Sequence, residues 1–222
     1  MKAQFPKGFR DTRNIRTQIT SDKLKAFTDN LSEYGIAFAN VKGSKYGGFD
    51  TYCGDVQVLK DIAEHIKNNQ EILTKISGNS KIIIGYDYLR EGGNVDVNTF
   101  AQTNGRVITF NKFMYDDSNY LKSEYQKAVE AREFAKGTTY LNVADHEMGH
   151  VFARFDSRYF SQLHRIYSNR ASSIGISTEE YVISHISRYA AYHTELPAEI
   201  NSMRNGIFNV FANELLKEAG LL

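Results

Sequence analysis

Residues 146–150 read His146-Glu147-Met148-Gly149-His150, and this string constrains the chain more than any other feature. On an α-helix four residues advance by about 400°, so the two imidazoles face one way and can offer two nitrogens to a single metal ion. Glu147 then sits about 100° round from His146, beside the place where an ion would carry a water molecule. In such a site the water is the nucleophile. Zinc lowers its pKa to about 7, and Glu147 is the general base that takes its proton and later passes it to the leaving group. A chain of this His and Glu content carries the string by accident roughly one time in a hundred. Its frame argues against accident: Val143, Ala144, Met148, Gly149, Val151 and Phe152 are uncharged and free of proline, as suits a buried helix rather than a solvated His/Glu face.

Composition removes several other functions. The 222 residues balance 27 Lys+Arg against 26 Asp+Glu for a net charge of +1, which gives no whole-chain field for nucleic acid or anionic membrane. No apolar run approaches the length of a membrane span, and the amino end lacks the apolar core of a secretory signal. A cytoplasmic location is expected from these features. A single cysteine, Cys53, cannot make an internal disulfide and has no adjacent basic residue to activate it. The Gly-rich stretch Gly43–Gly48 lacks the Gly-Lys-Ser/Thr ending of a phosphate loop and reads as a turn. The fourteen tyrosines are scattered along the chain, as packing requires and a stacking platform for bases does not.

Along the chain, residues 1–20 form a basic arm, 21–78 a mostly helical region, and 79–222 the part that holds the chemistry, with a soft boundary near Gly78. Helical spacing is expected over 21–34 and from Asp55 to about Ile76, with a short strand at 36–41 between them. Three strand-like runs follow: Lys81 to Leu89, Val95 to Thr103 and Arg106 to Phe110. Their turns are Glu91-Gly92-Gly93-Asn94 and Asn104-Gly105. Ser118 to Lys136 reads as a charged helix that Gly137 ends. The pattern predicts an α+β fold.

A catalytic zinc needs a third protein ligand, and the residues offer two. In Thr194-Glu195-Leu196-Pro197-Ala198-Glu199-Ile200, Thr194 has the chemistry of an N-cap and Pro197 is tolerated only in a first turn, so a helix should begin there. Glu195 and Glu199 would share a face, the first on the metal and the second accepting the spare N–H of a ligating histidine. The rival is Asp156, six residues after His150, where a related class places its third ligand after a glycine turn. Ala153 stands where that glycine is needed, and the steric cost of a positive φ favours Glu195. Met203 reads as core, in step with Leu196 and Ile200. His65, His164 and His185 read as ordinary helix histidines.

These residues resemble the gluzincin metallopeptidases, which carry His-Glu-x-x-His and a glutamate ligand on a later helix. The likeness is to the short metallopeptidase domains of phage head and toxin proteins and to the catalytic domain of anthrax lethal factor. Their Ser-x-Tyr-Ala and Glu-x-x-Ala-Glu stretches are matched by Ser187-Arg188-Tyr189-Ala190 and Glu195-Leu196-Pro197-Ala198-Glu199, so the resemblance spans about Val107 to Met203. It implies a zincin-like domain with a small sheet over the active-site helix and a glutamate-bearing helix below. It also implies zinc at His146, His150 and Glu195, Glu147 as base, Glu199 behind a ligand, and Tyr189 donating a hydrogen bond to the oxyanion. The link from Tyr189 to Glu195 is about a residue short, and Pro197 replaces a bulkier residue; Tyr192 and His193 are the alternative donors. The expected activity is zinc-dependent endopeptidase on a protein or peptide substrate, with Arg106 to Phe110 as the edge strand that binds it. The alternative is a zinc-stabilised structural or interaction protein, such as a phage particle component.

Overall fold

The structure is a computed structural model and describes residues 17–18, 36–38, 52–53, 56–77, 82–192, 194–204 and 209–220. It is a mixed α+β protein with a small sheet and several helices. Chain contacts group residues 1–67 with 80–121 in a first compact unit, and 68–79 with 122–222 in a second. Gly78, the expected soft boundary, lies outside the described residues. The expected helix over 21–34 and most of the basic arm lie outside the described residues, although Thr17–Gln18 (β1) pairs antiparallel with Tyr52–Cys53 (β3). No helix among the described residues is long and apolar enough to cross a membrane.

The first unit is organised by a four-stranded sheet of β2 (Ile36–Phe38), β4 (Ile82–Asp87), β8 (Val107–Asn111) and β7 (Ala101–Asn104), in that spatial order. β2 and β8 run parallel to β4, and β7 closes the sheet antiparallel to β8. β4 is interior: Ile82, Ile84 and Tyr86 on one face are fully buried, while on the other Gly85 is buried and Ile83 and Asp87 are partly exposed. β8 is interior too, with both of its ladders occupied, which corrects its assignment as the substrate-binding edge. Among the described strands, the sheet ends on β2 and β7.

Two hairpins follow from glycine. Arg90–Glu91 (β5) and Asn94–Val95 (β6) pair across Gly92 and Gly93, which both have positive φ (55° and 86°) as a type I′ turn requires. β7 and β8 pair Asn104 with Val107. The central residues are therefore Gly105 and Arg106, one position later than the sequence suggests, and only Gly105 takes a positive φ (67°). The run from Val95 to Thr103 is broken into β6 and β7. Between them Asp96 accepts from Asn98 N and Thr99 N, and the Asn111 amide donates to the carbonyls of Asp96 and Thr99. These bonds satisfy the loop's backbone better than an extended strand would.

The one helix expected from Asp55 to Ile76 is two, α1 (Val56–Asn68) and α2 (Gln70–Ser77). The break is at Asn69, fully buried in the second unit. Its amide donates to Asp145 (2.7 Å), while its carbonyl oxygen accepts from Asn201 (2.9 Å) and Arg204 (2.8 Å). A buried Asn side chain with partners this good offsets the helical bonds lost at the kink.

The second unit is helical. In the first unit the short α3 (Lys112–Tyr115) follows β8; α4 (Ser118–Glu130) comes next and ends six residues before Lys136. α5 (Asn142–Phe155) carries the His-Glu-x-x-His string, and α6 (Ser157–Ser173), α7 (Thr178–His185), α8 (Leu196–Met203) and α9 (Asn209–Glu218) follow. α5 packs most extensively on α8. Val143, Ala144, Met148, Val151 and Phe152 on α5 meet Leu196, Ala198, Ile200 and Met203 on α8 in one core, and all nine are buried.

Candidate metal centre

α5 is buried along nearly its whole length, including Asp145, His146 and Glu147. Asp145 can be fully buried because its carboxylate accepts from Asn69 and Asn142, and its carbonyl accepts from Asn201. This network ties α5 to α8 directly behind the histidines. The helices also come unusually close. A Cβ on Gly149 would lie 2.5 Å from Ala198 Cα and 2.9 Å from the Pro197 carbonyl oxygen. Gly149 is thus required by the crossing and is not neutral filler inside the string. Alanine has the better helix propensity by about 1 kcal/mol, yet these neighbours are backbone and cannot swing away. Gly149→Ala is expected to destabilise the fold by about 1–3 kcal/mol, measured as denaturant midpoint at unchanged m-value. A neutral or stabilising result would show that the helices separate freely.

Through this contact the side chains converge. One ligand atom each from His146, His150 and Glu195 lies within 4.8 Å of the others, a group that could hold a metal ion. Glu195 Oε2 is 3.2 Å from His146 Nε2 and 3.0 Å from His150 Nε2. On its other ring nitrogen, His146 Nδ1 donates to Glu199 Oε1 at 2.8 Å. That bond leaves Nε2 directed at the shared centre. Burial works against a charged His146, but the hydrogen bonds to Glu195 and Glu199 prevail, and its pKa is raised to about 10. Burial likewise opposes the Glu195 carboxylate, and the two histidines overcome it, holding its pKa at about 2. A metal ion held by these three groups would compete with protons for the same nitrogen and oxygen atoms.

Glu195 is not in the first turn, and Thr194 is not the N-cap. The N-cap residue is Glu195 itself, with Pro197 at the second helical position and no side-chain cap bond. A carboxylate not spent on capping is available to the histidines. Glu199 follows four residues on, 1% exposed. Its Oε2 accepts from Ala135 N (3.1 Å) and Ser187 Oγ (2.7 Å). Ser187 Oγ also accepts from Ala190 N (3.0 Å), closing the short 3₁₀ turn Tyr189–Ala191. The sequence signals Ser187 only through the Ser-x-Tyr-Ala stretch, and gives no sign of Ala135.

The Tyr189 ring stacks beside His146 (5.8 Å between centroids, 26°) and meets Phe134 and Tyr192 edge-on. Burial, reinforced by Glu195, Glu147 and Glu199, pushes its phenol pKa well up, so it remains a hydrogen-bond donor. Tyr192 is 64% exposed, and His193 lies outside the described residues. Glu147 is buried on α5 next to His146. Asp156 does something else. It caps α6 by accepting from Arg158 N and pairs with the Arg158 guanidinium, a partnership that lowers its pKa. His164 lies on the exposed face of α6, His185 stacks on Tyr181 (4.0 Å), and His65 belongs to α1 in the first unit.

No family model, curated protein or solved structure matches the chain. What can be said of its function rests on the residues themselves.

Proposed function

We infer that the protein is a zinc-dependent endopeptidase of gluzincin type. One observation carries the reading: His146, His150 and Glu195 converge with a glutamate, Glu199, locked behind His146. Two imidazoles and one carboxylate form a three-residue donor set suited to zinc, with room for a fourth, exchangeable position. His150 and Glu195 keep 24% and 15% of their side chains exposed against 9% for His146, so solvent reaches the set by way of His150 and Glu195. When bound, zinc would supply Lewis acidity, polarising the scissile carbonyl and lowering the pKa of the attacking water. Glu147 takes the proton of that water and returns it to the leaving amine. Tyr189, kept neutral, donates to the oxygen on which negative charge develops.

The purified protein is expected to hold about one zinc ion per chain and to cleave a mixed peptide library, with activity lost to a chelator and restored by zinc. A zinc-loaded protein inert toward the library would favour the alternative, a zinc-stabilised structural protein. A protein without affinity for zinc would remove both.

A further inference from the structure

Arg132 is the one non-glycine residue among those described with a positive φ (62°). It stands just past α4, where Glu133 N donates to Ala128 O (2.9 Å) and Arg132 N to Val129 O (3.0 Å). That is the Schellman ending of a helix, whose left-handed position is ordinarily glycine. Arginine pays a steric cost there that glycine avoids. Strain at a side chain that could have been dispensed with asks what the side chain does.

The Arg132 guanidinium donates to Ile183 O (3.3 Å) and Ser184 O (3.1 Å), two of the carbonyls that the end of α7 leaves without helical partners. A cation at a helix C-terminus is also favoured by the helix dipole. From the same residue, Arg132 O accepts from Arg188 N (2.8 Å), and Glu133 O accepts from Tyr189 N (3.2 Å). Two residues further on, Ala135 N donates to Glu199 Oε2, the oxygen that also accepts from Ser187 Oγ. Residues 132–135 therefore hold the segment 183–189 at both ends. That segment delivers Ser187 to Glu199 and the Tyr189 ring to His146.

We propose that Arg132 is a positioning residue for the metal centre: its guanidinium fixes the end of α7 and so seats the Ser187–Tyr189 turn that orients Glu199, His146 and Tyr189. The proposal rests on the peptidase reading only where turnover is the readout. Arg132→Gly separates positioning from folding, because glycine keeps the left-handed backbone, relieves the Cβ strain there and removes the side chain with its two hydrogen bonds to α7. In this variant the thermal midpoint is expected to stay level or rise. Amide deuterium uptake over 186–190 should quicken about tenfold. Zinc affinity should weaken about threefold to tenfold, less than for a residue that touches a ligand. In a cleavage-competent protein, kcat should fall about tenfold with KM unchanged. Arg132→Lys, which restores charge without the planar fork, should fall between the two.

A lowered midpoint in Arg132→Gly, or a failure to fold, marks a structural role and overturns the proposal. So does unchanged deuterium uptake, or faster uptake with zinc affinity unmoved. If uptake and zinc affinity both shift while neither protein cleaves any peptide, the assignment of Arg132 stands and the peptidase reading falls.

Discussion

Replacing Glu147 by alanine is expected to lower peptide cleavage by about 10²- to 10⁴-fold, the range for loss of a general base, while zinc content is unchanged. Two observations support both halves. Glu147 is absent from the group of ligand atoms formed by His146, His150 and Glu195, so its loss leaves the donor set whole. It is also 5% exposed, and its negative charge acts on both His146 and Tyr189, so it reaches the place where the reaction would occur. Glu147→Gln should behave like alanine, because an amide fills the space but cannot take a proton at neutral pH. Elemental analysis and initial rates on one peptide substrate check the two halves separately. Full activity in both variants would end the general-base assignment, and loss of zinc would recast Glu147 as a ligand.

The parts of this site that could be read in the sequence are those set by local periodicity. The four-residue step between His146 and His150 survives folding because a helix enforces it, and the apolar frame from Val143 to Phe152 is the buried face it suggests. The four-residue step from Glu195 to Glu199 aims both carboxylates at His146 for the same reason. What could not be read depends on partners far along the chain. Asn69 breaks a continuous helical pattern because Asp145, 76 residues on, waits for its amide. Gly149 is demanded by Ala198 and Pro197 on another helix. α4 ends at Glu130, with Arg132 in the left-handed position that glycine ordinarily takes, whereas the stop signal visible in the sequence is Gly137. That β8 is interior is not legible either, because strand order within a sheet follows from pairing that no local pattern encodes. Even the N-cap lies one residue later than the pattern suggests, on Glu195, whose carboxylate makes no cap bond and faces the two histidines instead.

The ligand assignment itself is decided by three substitutions compared in one zinc titration. Glu195→Ala removes an oxygen that lies 3.0 Å and 3.2 Å from the two histidine nitrogens, and leaves two imidazoles alone to hold the ion. Its zinc affinity should fall by more than the roughly 100-fold that bounds the loss of a supporting partner. Glu199→Gln keeps a carbonyl acceptor for His146 Nδ1 but removes the charge that strengthens that imidazole as a donor to metal. With its carbonyl kept toward His146, its amide N–H group falls where Ala135 N and Ser187 Oγ now both donate. A fall of about 10- to 100-fold is expected, with the fold retained. Asp156→Ala should leave zinc affinity nearly unchanged and cost about 0.5–2 kcal/mol of stability, because its carboxylate caps α6. The order of the three affinities is the measurement. If Asp156→Ala strips the metal while both glutamate variants retain it, the third ligand comes from the end of α5, and the convergence of Glu195 with the two histidines has another purpose.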